Sequence, residues 1–244
     1  MTFEEWLNTA TKSNGKLLSK TTVQRYTNGF SVVSKDMLEQ KVITKPLEDM
    51  DLYELDLAIS LIVKEQTFLI KDETGNKMYS NSLKRYRCFK YLNTDLGKYE
   101  EEEEKNIRND NTLTVTEKET IIKSRRGQGT YRKKLIDKYN STCIITQVNI
   151  PQVLVASHIK PWAICNNDER IDVNNGLLLS ATYDRLFDSG LITFDNSGKM
   201  KISTLISKEN AKKLEIKTGK KCDIKYCREM ETYLNYHNSN IFVG

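Results

Sequence analysis

Apolar positions recur at helical spacing through the first third of the chain and gather into short strand-like runs only past residue 150. Residues 3–7 predict a short amphipathic helix. Ser19, Thr21 and Thr22 can cap a second helix, whose Val23, Tyr26, Phe30 and Val33 fall on one face. Pro46 breaks the chain before a third helix, about 51–66, with Leu52, Leu55, Ile59, Ile62 and Val63 turned inward. Residues 72–76 read as a turn, and a fourth helix over 79–92 exposes Lys84, Arg85, Arg87 and Lys90 beside Tyr86, Phe89 and Tyr91. The prediction for residues 1–95 is a small helical domain.

Five consecutive glutamates, Glu100 to Glu104, and the polar residues that follow cannot bury apolar area, so 96–112 reads as an acidic, polar linker. Beyond it, 113–244 changes character. Residues 153–159 are β-branched and apolar, and end at Lys160-Pro161-Trp162, where proline cannot donate to a ladder. This strand delivers His158 to its end. A polar loop, 166–174, leads to the turn Asn175-Gly176 and a run of leucines that pairs with the first strand. Residues 180–190 then predict a short helix stopped by Gly190, with Asp184 and Asp188 one turn apart on one face. A hairpin, 191–195 with 199–203, is expected to complete the sheet, and 207–214 and 228–237 to be helical. The fold class expected is α+β.

Charge sharpens this picture. The 244 residues carry a net charge of +5, with a pI near 8.8, which permits a polyanionic partner without requiring one. Its distribution says more: Lys123, Arg125, Arg126, Arg132, Lys133, Lys134 and Lys138 stand against Asp137 alone, in a basic helix interrupted around Gly127-Gln128-Gly129. Five cysteines without a CxxC pair argue against a disulfide framework, and structural zinc is not expected. No apolar run is long enough to span a bilayer and the N-terminus has no secretion signal, so a cytoplasmic protein with no membrane partner is expected.

Strand, loop, strand and helix in that order, bearing His158, Asn175 and Asp184, resemble the HNH endonucleases, whose ββα-metal motif grips one divalent ion and a scissile phosphate. The resemblance rests on Ser157-His158-Ile159-Lys160-Pro161-Trp162, Asn175-Gly176-Leu177-Leu178-Leu179 and Asp184-Arg185-Leu186-Phe187-Asp188. Arg126-Gly127-Gln128-Gly129-Thr130-Tyr131-Arg132 and Cys143-Ile144-Ile145-Thr146 look like the lead-in to the branch common in bacterial restriction-type proteins. By that resemblance His158 is the general base, Asn175 orients loop and base, and Asp184 stands where the family's last histidine or asparagine binds metal. Ser157 occupies the place where many members carry an acidic ligand.

The chemistry is consistent with this. Phosphodiester hydrolysis needs a base for water and a cation for the developing charge. A neutral imidazole supplies the first, and oxygen ligands suit Mg²⁺, with Mn²⁺ as the other candidate. Asp188 is a second ligand by helical spacing or a capping carboxylate, and Ser157 contributes through water. Arg125, Arg126, Arg132, Lys133 and Lys134, with Lys84, Arg85 and Arg87, are the candidate contacts to double-stranded DNA. The glutamate run is a solvated helix end or tether, or else it mimics DNA and shields the basic surfaces. The expectation is a metal-dependent DNA endonuclease of restriction or defence type, with 1–95 as a DNA-targeting domain. Cutting both strands with one site per chain implies a homodimer. The alternatives are a non-cleaving sequence or modified-base reader and a phage or homing nuclease.

Overall fold

Helices fill the chain as far as residue 138, and strands come only afterwards. The computed structural model describes residues 1–12, 14–126 and 129–244. α1 (Phe3–Thr9) opens on a capping box made by Thr2 and Glu5, and α2 (Lys20–Glu39) on Ser19, whose hydroxyl accepts from the Thr22 amide. Val23, Phe30 and Val33 are buried, as their spacing requires. The predicted third helix is α3 (Leu52–Ile62), boxed by Asp51 and Glu54; a further helix that was not expected, α4 (Gln66–Thr74), follows it and takes in the start of the predicted turn. α5 (Met78–Leu92) is the central rod, packed by α1, α2, α3 and α4. Tyr86 on α5 stacks on Phe30 at 3.8 Å and meets the edge of Phe3 at 5.1 Å.

A helix packed on several sides has no free basic face, and the expectation of one on α5 is corrected. Arg87 is 3% exposed and forks onto Asp56 at 2.6 and 3.0 Å; Arg85 is 4% exposed and lies over the Tyr26 ring. Lys84 is half-buried, and that burial lowers its pKa. These three are built into the helical core and its borders rather than offered to DNA.

The glutamate-rich segment folds as α6 (Leu96–Asn109), which packs on α3 and on α7 (Val115–Arg125). Its Ile107 is buried with Ile121, Ile122 and Trp162 in a small cluster of its own, which holds the segment against its neighbours. α8 (Gly129–Lys138) follows; Gly127 and Gln128 of the predicted interruption lie outside the described residues.

β1 (Leu154–His158) leads through α9 (Asn167–Ile171) to β2 (Gly176–Ser180), and the strands pair antiparallel with Leu154 opposite Ser180 and His158 opposite Gly176. The predicted polar loop thus contains a helix, capped by an Asn166–Glu169 box that its sequence carries. α10 (Ala181–Asp188) crosses both strands to complete the ββα unit. β3 (Ile192–Phe194) and β4 (Met200–Ile202) form the expected hairpin but make a separate two-stranded sheet. The chain turns at Gly190 after α10, so the hairpin sits under that helix, with Phe194 stacked on Phe187, and not beside β2. α11 (Lys208–Lys213), α12 (Arg228–Tyr236) and a π-helical turn, His237–Ile241, close the chain. At Gly176, β2 packs against α8. A Cβ there would lie 2.6 Å from the Tyr131 hydroxyl and 2.8 Å from Leu135, so only glycine lets Tyr131 reach the end of β1.

Candidate active site

The end of β1, the first turns of α10, and parts of α5, α6 and α7 enclose a cleft of about 280 Å³, lined by His158, Ser157, Asp184, Asp188, Tyr91 and Arg125 among others. Residues named from the sequence for base, metal and phosphate chemistry thus meet in one place.

His158 is half-buried and held on two sides. Its ring stacks on Tyr131, with centroids 4.5 Å apart and planes within 10°, and Nε2 lies 3.0 Å from the Arg170 carbonyl. A carbonyl only accepts, so Nε2 carries the proton and Nδ1 keeps its lone pair. Burial is the main cause that drives the imidazole pKa down to about 4, with the positive charges of Arg125 and Arg170 adding to it and the Arg170 carbonyl opposing it. The ring is therefore neutral near pH 7.

Asn175 is fully buried and ties the loop between the strands together. Its Oδ1 accepts from the Lys160 amide at 2.9 Å, and its Nδ2 donates to the Glu169 carbonyl at 3.0 Å and to Cys165 Sγ at 3.3 Å. The Asn175 carbonyl in turn accepts from Tyr131, the residue that stacks on His158. Glu169 also caps α9 and pairs with Lys160 at 2.6 Å. These bonds fix α9 and hence the Arg170 carbonyl that sets the His158 tautomer.

Asp184 and Asp188 face the cleft one helical turn apart. Burial raises the pKa of Asp184, with Glu100 adding to it and Ser157 and Arg125 opposing it. Asp188 is raised well above the ordinary carboxylate range, first by burial and then by Asp184 itself. Tyr91 donates to its Oδ2 at 3.3 Å, and Arg87 to its backbone carbonyl at 2.7 Å. Arg185 ties the same helix to α5 through the Tyr91 carbonyl at 3.2 Å and a stack over its ring. Among the described residues no three histidine, cysteine, aspartate or glutamate side chains form a metal-ligand group. Two mutually repelling carboxylates beside the buried Ser157 hydroxyl nevertheless fit a hard divalent cation, since Mg²⁺ is held by one or two carboxylates and completes its shell with water and phosphate.

The basic candidates divide. Lys133 and Lys134 are exposed on α8, whereas Arg132 donates to the Leu154 and Pro151 carbonyls at 2.8 and 2.6 Å and so braces β1. Arg125 and Arg126 are engaged by glutamates of α6. His237, the second histidine of the chain, is 1% exposed and hydrogen-bonded through both ring nitrogens.

Sequence reasoning missed the supporting roles of Tyr131, Arg170 and Tyr91, and assigned Arg87 to DNA instead of to the carbonyl of Asp188. Tyr131 shares a face of α8 with Leu135 and Tyr139, which signals burial but not its partner. Arg170 acts through its backbone carbonyl, which no side-chain pattern announces. No curated protein matches the chain. Residues 143–195, which hold both strands of the ββα unit and its helix, match the family model described as HNH endonuclease.

Proposed function

We propose that this chain is a divalent-metal-dependent DNA endonuclease in which His158 is the general base. The observation that carries the reading is the His158 ring, neutral and locked by the Arg170 carbonyl in the one tautomer that leaves Nδ1 able to accept a proton, in the same cleft as two carboxylates. His158 takes the proton of the attacking water at Nδ1. Tyr131 keeps the ring plane fixed as the imidazolium forms, and Asn175 holds the loop that carries the Arg170 carbonyl. Asp184 and Asp188, with Ser157 acting through water, would hold the ion, Mg²⁺ or Mn²⁺. Bound there, the ion stabilises charge on the phosphorane and the departing oxygen. Lys133 and Lys134 offer exposed positive charge for phosphates on the approach.

A restriction or defence role, a targeting function for residues 1–95, and pairing of two copies to cut both strands belong to the same proposal. The second reading, a DNA-binding module that does not cut, draws on Ser157 in place of an acidic ligand and on the lack of a three-ligand cluster among the described residues. Plasmid incubated with the purified chain separates the two. Nicking or cutting is expected with Mg²⁺ or Mn²⁺ and none with EDTA. Cleavage undiminished by chelator would overturn the metal-dependent reading, and DNA retardation without any cutting would favour the module.

A further inference from the structure

The acidic run and the basic segment meet at the rim of the cleft. Glu103, whose side chain is 0% exposed, ion-pairs with Arg125; Glu100 reaches the same guanidinium at 3.6 Å; and Glu104 forks onto Arg126. Both arginines, with Glu100 and Glu103, line the cleft that holds His158 and Asp184. A guanidinium fork receives carboxylate and phosphate by the same planar, two-bond geometry. The α6 carboxylates therefore sit on the donors a DNA phosphate would use, and they set negative charge beside two aspartates in a site meant for a polyanion. A merely solvating glutamate run would leave its side chains in water, yet here the one nearest Arg125 is withdrawn from it altogether.

We propose that α6 is a built-in mimic of the DNA backbone, holding Arg125 and Arg126 in a self-bound, closed form that substrate phosphates must displace. The inference rests on reading the cleft as a DNA phosphodiesterase site and adds regulation to it. α6 is suited to exchange. Its links to the rim are ion pairs, of which those of Glu100 and of Arg126 reach solvent and are weakened by added salt, while a competing polyanion can displace the carboxylates and Ile107 anchors the far end of the helix in its own cluster. Closed, the chain cannot present these arginines to DNA; open, it offers two phosphate-binding forks beside the catalytic histidine.

The test is binding of a labelled DNA duplex of arbitrary sequence to the full chain in EDTA, across a salt series, so that no cleavage enters the readout. Glu103→Gln with Glu104→Gln should tighten binding roughly tenfold at low salt, and the slope of log K against log salt should steepen by about 0.9 for each additional phosphate that the freed arginines neutralise. The pair Glu100→Gln and Glu104→Gln removes more exposed carboxylates and gives the same answer if loss of the buried Glu103 charge unfolds the protein. Glu101→Gln, set against Glu104→Gln alone, makes an equal charge change at an exposed position of the same helix and should leave the slope alone. Adding Arg126→Gln to Glu104→Gln should cancel the tighter binding. Weaker binding in the glutamine variants would mean that the glutamates position the arginines for DNA, and equal tightening from Glu101→Gln would mean simple net charge; either result overturns the mimic. Variants that bind more tightly while no form cuts in Mg²⁺ would support the mimic and reject the nuclease reading. Absence of DNA binding by every form would reject both.

Discussion

The two histidines of this chain are held in nearly the same way, and beyond the deeper burial of His237 one difference in hydrogen bonding separates them. Each ring is stacked on an aromatic neighbour, His158 on Tyr131 and His237 on Phe187, with centroids 4.5 and 3.9 Å apart. Each Nε2 donates to a backbone carbonyl, of Arg170 and of Phe187, at 3.0 Å. Burial lowers both pKa values, to about 4 and about 3. At His237, however, Nδ1 accepts from the Thr193 hydroxyl at 2.8 Å, so every polar atom of the ring is satisfied. His158 has no such donor on Nδ1 among the described residues. The same frame leaves no free polar atom on the His237 ring, whereas at His158 it keeps the Nδ1 lone pair that the proposed general base needs.

The strongest challenge to this contrast is to remove each ring in turn. His158→Ala should slow cleavage roughly 10²- to 10⁴-fold while DNA binding survives, because the imidazole acts on the proton in flight. His237→Ala should leave cleavage per folded molecule near wild type and cost about 3 kcal/mol of stability, from the lost stacking and two buried hydrogen bonds. Rates and urea midpoints on the same preparations decide it. Swapped outcomes would exchange the two roles.

Asn175→Ala tests whether the frame around His158 serves the site or only the fold. The change leaves the Lys160 amide and the Glu169 carbonyl without their partner in a buried site, which should cost about 2–4 kcal/mol in urea unfolding. Cleavage at a temperature where the variant is folded should also slow, since the Arg170 carbonyl loses its tether. Full activity in a destabilised protein would show that the loop supports the fold alone.

The smallest effect is the one with pH, and it sharpens the comparison. An unperturbed imidazole would lose its base near pH 6.5, but burial places His158 near 4, so cleavage should hold level through 6.5 and fall only as pH approaches 4. A rate profile that bends at 6.5 would mean that the ring is solvated in the working enzyme. The sign for stability is the same at both sites. Below pH 6.5 the unfolded chain binds protons that the buried rings refuse, so stability is fully present above 6.5 and is lost as pH falls towards about 4 for His158 and about 3 for His237. Replacing His237 with Gln should make the melting temperature less steep in this acid range.

Local patterns carried the residues that make the elements. The capping pairs Thr2–Glu5 and Asp51–Glu54, the buried face of α2, the two strands of the ββα unit and the order His158, Asn175, Asp184 are all readable along the chain, because caps and periodic faces depend on neighbours within a few positions. Even α9 had its signature in Asn166 and Glu169, although the polarity around it read as loop. What the tertiary structure alone decided are the partners. Arg87 on α5 reaches Asp56 and the end of α10, the glutamates of α6 find Arg125 and Arg126, and Arg170 sets the His158 tautomer through a carbonyl. Charge in a sequence says how much of it there is. Whether an arginine meets water, a carboxylate or a phosphate depends on which surfaces the packed helices bring together, and no local spacing encodes that.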